Sequence, residues 1–365
     1  MNLLRRFFLV LVIISGGISL NAQDIHFSQF YMSPLNLNPA MTGVMNCNIR
    51  LVANYRNQWA SVLRSNAFNT YSVSYDQKIA VGRYDYFGVG ASFWGDVAGE
   101  SEFGTLTGKL SASYSKRMGG YRKKAHYLVF GVDGGLAQRS LNFSKLLFPE
   151  QILSGLASST DPDIWLSLDS RENFTRDNIL YPDINAGLLW FSVLDDDTNF
   201  YLGGAYGHLS RPNLSIFEGS TEQLYSKITI HAGGQFRLSP KLALIPNVVY
   251  YKQGPSFQVN GGTSLRFLLG NSRRYYQAFQ FGGWVRVANR VIYDTDAKQN
   301  KGTKKHIDAI VISTRFEYED FGIGFSYDLN VSSLKIASNY NGAFEFSLVY
   351  KICGPEKRNV YCPRF

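Results

Sequence analysis

From Phe321 to Asn330 the chain alternates without a break. Phe321, Ile323, Phe325, Tyr327 and Leu329 are apolar or aromatic, while Gly322, Gly324, Ser326, Asp328 and Asn330 are tiny or polar. A side-chain period of two belongs to a β-strand, so the two sets occupy opposite faces. One such segment would also suit a soluble sheet with one buried face, and recurrence decides between the two. The character returns to make fourteen segments, near 48–59, 67–79, 84–95, 103–117, 124–138, 182–194, 197–209, 223–238, 241–252, 255–268, 274–288, 305–318, 320–330 and 341–352. In "KITIHAGGQFRL", for example, Ile228, Ile230, Phe236 and Leu238 oppose Lys227, Thr229, His231, Gln235 and Arg237.

An even number of strands, each long enough to cross a bilayer at a tilt, is what a single-chain outer-membrane barrel requires. Closure also removes the unpaired edges that hydrocarbon would not tolerate. The expected fold is therefore all-β, a transmembrane antiparallel β-barrel of about 14 strands. Its apolar face meets outer-membrane lipid and its small polar face meets the lumen. The connections agree: "AVGR", "GGYRK", "DDDT", "SP", "GNSR" and "ED" are short and alternate with a set that includes 139–181, 210–222, 289–304 and 331–340. Short turns mark the periplasmic side, which places both termini there and the largest loop at the cell surface. Composition fits a barrel better than a helical membrane protein. Aromatics reach 15%, glycines number 34 and mean hydropathy is only −0.14. After residue 22 there is no run of about 18 apolar residues.

The first 22 residues read as a signal peptide, with Arg5 and Arg6, an apolar core from Phe7 to Ile14, and a cleavage site after Leu20-Asn21-Ala22. Removing two arginines lowers the formal charge from +9 to +7. With no basic helical stripe in an exported chain, no nucleic-acid partner is expected. Residues 23–46 contain Pro34 and Pro39 and so do not form another strand. They also carry Phe27, Phe30, Tyr31, Leu35 and Leu37, which need burial. A barrel this wide has a lumen that side chains alone do not fill. This segment is expected to fold into or under the barrel as a plug on the periplasmic side, or else to serve as a periplasmic docking peptide. The barrel proper spans 47–352, and 353–365 form a cationic periplasmic tail.

Arg56, Asp76, Lys109, Arg237, Arg266, Asp328 and Glu345 are expected to face the lumen as a salt-bridged interior. Trp59, Trp94, Trp190 and Trp284 are expected near strand ends or on outward faces, as interfacial belts favour. The five histidines lie far apart and none has helical metal-ligand spacing. No glycine-rich phosphate loop and no nucleophile motif occurs, so no catalytic, cofactor or metal site is expected. Of the three cysteines, Cys47 precedes the first strand and Cys353 follows the last, so closure brings both to one seam. In an oxidising compartment this favours Cys47 paired with Cys353 or Cys362 over Cys353–Cys362.

Several blocks together resemble one family. They are "QDIHFSQFYMSPLNLNPAMTG", with His26, Phe27, Ser28, Gln29, Phe30, Tyr31, Leu37, Asn38, Pro39, Ala40 and Gly43; "YRNQW", Tyr55, Arg56, Asn57, Gln58 and Trp59; and the closing "FGIGFSYDLNVSSLKIASNYNGAFEFSLVYKI". The order and character of these blocks are similar to the PorP/SprF family of type IX secretion system membrane proteins of the Bacteroidetes. The resemblance implies a non-enzymatic outer-membrane barrel serving the type IX secretion and gliding machinery. Its implied partners are a secreted surface protein or adhesin with a type IX C-terminal domain, and periplasmic ring subunits. The barrel alone would equally support a porin or hydrophobic-ligand transporter.

Overall fold

The computed structural model describes residues 24–354 apart from 121–123, 149, 153–163, 165–175, 196, 217–220, 273–274 and 295–298. Its strands are β1 (Ile49–Gln58), β2 (Phe68–Val81), β3 (Asp85–Ala98), β4 (Phe103–Gly119), β5 (Ala125–Ser140), β6 (Asn178–Val193) and β7 (Asn199–Gly207). The second half comprises β8 (Lys227–Ser239), β9 (Leu242–Gln253), β10 (Ser256–Ser272), β11 (Tyr275–Asp294), β12 (Gln299–Tyr318), β13 (Phe321–Asn330) and β14 (Asn341–Ile352). Each strand pairs antiparallel with its neighbours in the chain. β14 returns to β1, from Ile49 opposite Ile352 to Gln58 opposite Ala343, and closes the barrel.

The alternation becomes inside and outside. On β13, Phe321, Ile323 and Phe325 are 45–48% exposed, whereas Gly322, Gly324, Ser326 and Asp328 are buried. β12 repeats this with Ile310, Ile312 and Phe316 outward and Ser313 and Arg315 inward. A soluble protein rarely displays so continuous an apolar surface. A bilayer solvates it, so each outward side chain stabilises the spanning state rather than the dissolved one. The hydrophobic core of the molecule lies instead in the lumen. There Phe30, Met32, Leu37, Met41 and Val44 pack with inward residues such as Tyr86, Tyr127, Phe191 and Trp284.

At one end the connections are 82–84, 120–124, 194–198, 240–241, 273–274 and 319–320, all short. At the other they include 59–67, 141–177, 208–226 and 331–340. The region 289–304, expected as a long loop, departs from this pattern. β11 and β12 run for 20 residues each and pair through it, with Val291 opposite Thr303. Their sequence, Asn289 to Lys304, lacks the apolar–polar alternation that marks a lipid-facing strand. The reading of "FPEQILSGLAS" as a short helix falls mostly outside the described residues, as do Trp165, the leader and the tail beyond Gly354.

Candidate functional site

Residues 24–46 lie inside the barrel, and their local structure follows from two prolines, one of them behind an Asn cap. Pro34 and Pro39 each occupy the first position of a single helical turn, Pro34–Leu37 and Pro39–Met41. That is where a missing N–H costs nothing. Asn38 caps the second turn, its Oδ1 accepting from Ala40 N at 2.8 Å. The same carboxamide donates to the carbonyls of Leu188 and Gly204, at 3.1 and 3.2 Å, residues paired across β6 and β7. His231 Nε2 of β8 lies 3.0 Å from it.

The segment touches every strand. Ser28 N and Gln29 N donate to Glu345 of β14 at 2.6 and 2.9 Å, and Ser28 Oγ donates to Asp328 of β13 at 2.8 Å. Tyr31 shares a hydrogen bond with Ser313 of β12, and its ring stacks on Trp284 of β11 at 5.4 Å. Asn260 of β10 donates to Ser28 O, and Asp24 N donates to Gln253 of β9 at 2.8 Å. Asn54 of β1 donates to Met32 O, while Asn36 donates to Ser72 of β2. Thr42 bonds to Ser111 and Ser113 of β4. On β3 and β5 the contact is backbone to backbone. A Cβ at Gly88 would strike Thr42, and one at Gly131 would strike Pro39 and Ala40. Gly43 needs its own lack of a side chain, with φ +71° and a Cβ position only 2.7 Å from Gly88 Cα. Contact with all fourteen strands of a closed cylinder is possible only from within.

The path runs the length of the lumen. Asp24 sits beside Gln253, Lys227 and His208, which flank the connections at the long-loop end. Cys47 enters β1 at the short-turn end and is disulfide-bonded to Cys353 just past β14, with Cα atoms 4.3 Å apart. The expectation had both termini at the short-turn mouth. The first described residue is instead at the opposite one, because a segment this rich in apolar side chains buries more of them by spanning the lumen than by capping it. Cys362 lies outside the described residues.

Charge is arranged in clusters around this path. Near the long-loop end Arg56 pairs with Glu345 and with Asp328 (3.1 Å), and Arg286 pairs with Asp328 and Asp308 (both 2.8 Å). Deeper, Arg50 makes a two-pronged pair with Asp76 at 2.8 and 3.0 Å. It also donates to Met41 O, while Asp76 accepts from Gly43 N at 2.7 Å. A third cluster joins Asp24 to His208 (2.6 Å), His208 to Asp183 (2.8 Å), and Lys109 to Asp183 (2.6 Å). Burial opposes the charge on His208, but Asp24 and Asp183 outweigh it and hold the imidazole up at about 9. Burial likewise opposes the charge on Asp24, yet His208 and Lys227 keep its carboxyl well below the usual range. Buried charges of this kind persist only where they are matched and hydrogen-bonded.

Of the residues singled out in the sequence, Ser28, Gln29, Arg56, Asp328 and Glu345 form one contact, as do Asn38, Pro39, Ala40 and the wall. Gly43 joins Asp76. Phe27, Phe30, Tyr31 and Leu37 are buried. In "YRNQW" only Arg56 points deep into the lumen, with Gln58 accepting from it at 3.2 Å. Tyr55 and Asn57 bond to Asn69, and Trp59 adopts a positive φ of 62° where β1 ends. Lys109, Arg266, Asp76 and Arg56 face inward as expected. Arg237 has lumenal parity but sits at the rim, paired with Asp197 at 3.1 Å. Two tryptophans correct the expectation: Trp190 faces out, but Trp94 and Trp284 are 8% and 2% exposed and belong to the lumen. Neighbouring glycines such as "FGGW" blank the apolar alternation and hide the parity there. Asp24, His208, Asp183, Arg50 and Arg286 went unrecognised. Inward parity flags Asp183 and Arg286, whereas the partners of Asp24 and His208 are 184 residues apart and invisible locally.

A closed fourteen-stranded antiparallel barrel with a continuous apolar outer face is the build of a membrane-spanning β-barrel protein. The chain belongs to the PorP/SprF family of type IX secretion system membrane proteins, whose pattern it matches over residues 19–350. No curated protein is similar enough to match. Among solved structures it is similar to the Ralstonia pickettii toluene transporter TbuX, at 11% identity over 88% of this chain and 94% of that one, with a TM-score of 0.45. It is also similar to the CymD monoaromatic hydrocarbon channel, at 14% identity over 93% and 96%, with a TM-score of 0.44.

Proposed function

We propose that this chain is a non-enzymatic outer-membrane component of the type IX machinery, assisting the export or surface anchoring of a secreted partner protein. In this reading the barrel is a membrane-held platform rather than a conduit. The observation that carries it is the lumen filled along its length by residues 24–46, every strand in contact with it. A diffusion pore or hydrophobic-ligand path needs that space open. Short turns then face the periplasm, the 141–177 connection faces the cell surface, and the partner is bound by loops or mouths.

The test is a mild-detergent pulldown of the native protein, paired with deletion of its gene. Co-purification of a large secreted protein or periplasmic ring subunits, with loss of surface-protein secretion, is the expected result. A barrel that purifies alone, leaves secretion intact on deletion and conducts freely in planar bilayers overturns it.

A further inference from the structure

On the outer wall at the long-loop end, the rim forms a saddle between β9 and β10. Only Gly254 and Pro255 connect those strands, whereas β11 and β12 continue on one side to Asp294 and Gln299. The 208–226 connection stands on the other side. Residues at the saddle form one row on the outward face. Lys252 is in register with Ile228 to one side and Phe257 to the other, and Asn289 is in register with Lys305. Asn289 joins the two halves, its Oδ1 accepting from Phe257 N at 2.7 Å and its Nδ2 donating to Pro255 O at 2.8 Å. Next to this row the outward residues turn apolar: Ile230, Val248, Ile307 and Ile310 are 42–51% exposed. The row therefore marks the level at which hydrocarbon gives way to lipid headgroups.

Lys252 and Lys305 are exposed there, and neither ammonium has an ion-pair partner among the described residues. Their Cα atoms are three strands apart, roughly 14 Å. Lys305 leans back across that gap, its Nζ 5.7 Å from the centroid of the Phe257 ring beside Lys252. Tyr250 stacks on the same ring at 6.3 Å. Arg211 flanks the row, donating to the Ser226 and Tyr206 hydroxyls at 3.0 and 3.2 Å. Among the described residues no carboxylate balances these cations. Asp308 is committed to Arg286 at 2.8 Å, and Glu222 pairs with none of the three. Asp294 lies five residues past Asn289 on β11, about 16 Å along the strand. At the short-turn end, by contrast, the outward Lys116 pairs with Asp85 at 2.8 Å. Like charges gathered around one aromatic ring at a hydrocarbon edge favour an anion between them.

We propose that this saddle binds a membrane lipid whose headgroup ends in a phosphate monoester. Lys252 and Lys305 receive the phosphate, with Arg211 at its flank. Tyr250 and Phe257 supply the aromatic surface common at this depth of a bilayer. The acyl chains run down over Ile230, Val248 and Ile307. That apolar wall directly beneath the cations is what selects a lipid over free phosphate, which would use the cations alone. Only the leaflet rests on the orientation adopted above, in which the long connections face the cell surface and the lipid belongs to the outer leaflet. The binding chemistry stands apart from the platform role and is measured without any secretion assay.

The test is native mass spectrometry of the full-length protein in detergent, titrated with dioctanoyl phosphatidic acid. The comparison lipid is dioctanoyl phosphatidylcholine, whose phosphate is a choline diester. Phosphatidic acid should bind at least about tenfold more tightly, through two charge-assisted contacts to its dianion. Lys252→Gln combined with Lys305→Gln should abolish that preference, whereas Lys116→Gln, which removes an outward cation at the other end, should keep it. Unboiled gel mobility confirms that each variant remains a folded barrel. Equal affinity for the two lipids, or a preference retained by the folded double variant, overturns the proposal. A preference lost equally in Lys116→Gln overturns the assignment to this saddle. Inorganic phosphate that displaces the lipid as effectively as unlabelled phosphatidic acid overturns the choice of a lipid.

Discussion

Asp328 is the residue on which the hold between wall and lumenal segment most depends. It is fully buried and receives Arg56 at 3.1 Å, Arg286 at 2.8 Å and the Ser28 hydroxyl at 2.8 Å. Asp328→Asn preserves shape and removes the charge. Arg56 keeps Glu345 and Arg286 keeps Asp308, so neither guanidinium is left bare. The cost therefore falls toward the lower end of that for a broken buried pair, about 3 kcal/mol. Because Ser28 belongs to the segment and Asp328 to the wall, part of that cost appears as loosening of the segment. If all of it did, the equilibrium between seated and released segment would shift by about a hundredfold. Planar-bilayer recording reads this directly: the parent stays closed and the variant opens intermittently, while unboiled mobility still reports a folded barrel. Glu102→Gln is the control, since Glu102 pairs with Lys145 in open solvent and should change nothing. Silent Asp328→Asn channels, with a segment as protease-resistant as the parent's, would refute the idea that this cluster holds it. Identical openings in Glu102→Gln would refute the electrostatic cause.

Other perturbations test other parts of the structure. Gly131→Val should displace Pro39 and Ala40 and cost at least about 1–3 kcal/mol in urea-unfolding midpoints, whereas Gly108→Val, on the outward face with only Phe93 near, should be tolerated. His208 is raised to about 9 from an ordinary 6.5, so its pairing stabilises fully below about 6.5 and fades as pH climbs through 9. Protease protection of residues near Asp24 should follow that profile and flatten in His208→Gln. Non-reducing peptide mapping should recover Cys47 linked to Cys353, and Cys353→Ser should lower the unfolding midpoint, with an upper bound of about 5 kcal/mol from the long loop it closes. Epitope tags at 155–160 should be labelled on intact cells, whereas tags within 270–273 should not.

The strands were legible because hydrocarbon enforces their alternation at every outward position, as on β13 and β8. Polarity relaxes that demand, so the ends of β11 and β12 past residue 288 escaped notice, as did the inward turn of Trp94 and Trp284 among glycines. Pro34, Pro39 and the apolar residues around them excluded a further strand at 23–46, and left both a plug and a docking peptide open. The traverse of the whole barrel did not follow from them, because that depends on Asp24 meeting His208 and Lys227 across the fold. The wall glycines had a double meaning. Gly324 read as part of a small lumenal face, and the structure adds that a side chain there would meet Gln29 and Met32, while at Gly88 and Gly131 it would meet the backbone of residues 39–42.

The chain leads into β1 from the far end of its own cylinder, which makes the barrel a threaded object with a history. A finished hoop could acquire this filling only by drawing a loose end through a bore roughly 30 Å long, past every wall contact. Wrapping is the easier order: the stem is laid down first, the sheet curls around it, and the meeting of β14 with β1 is the final stitch. The disulfide sits at that stitch. In that order the seam between β14 and β1 closes last, after residues 24–46 are in place.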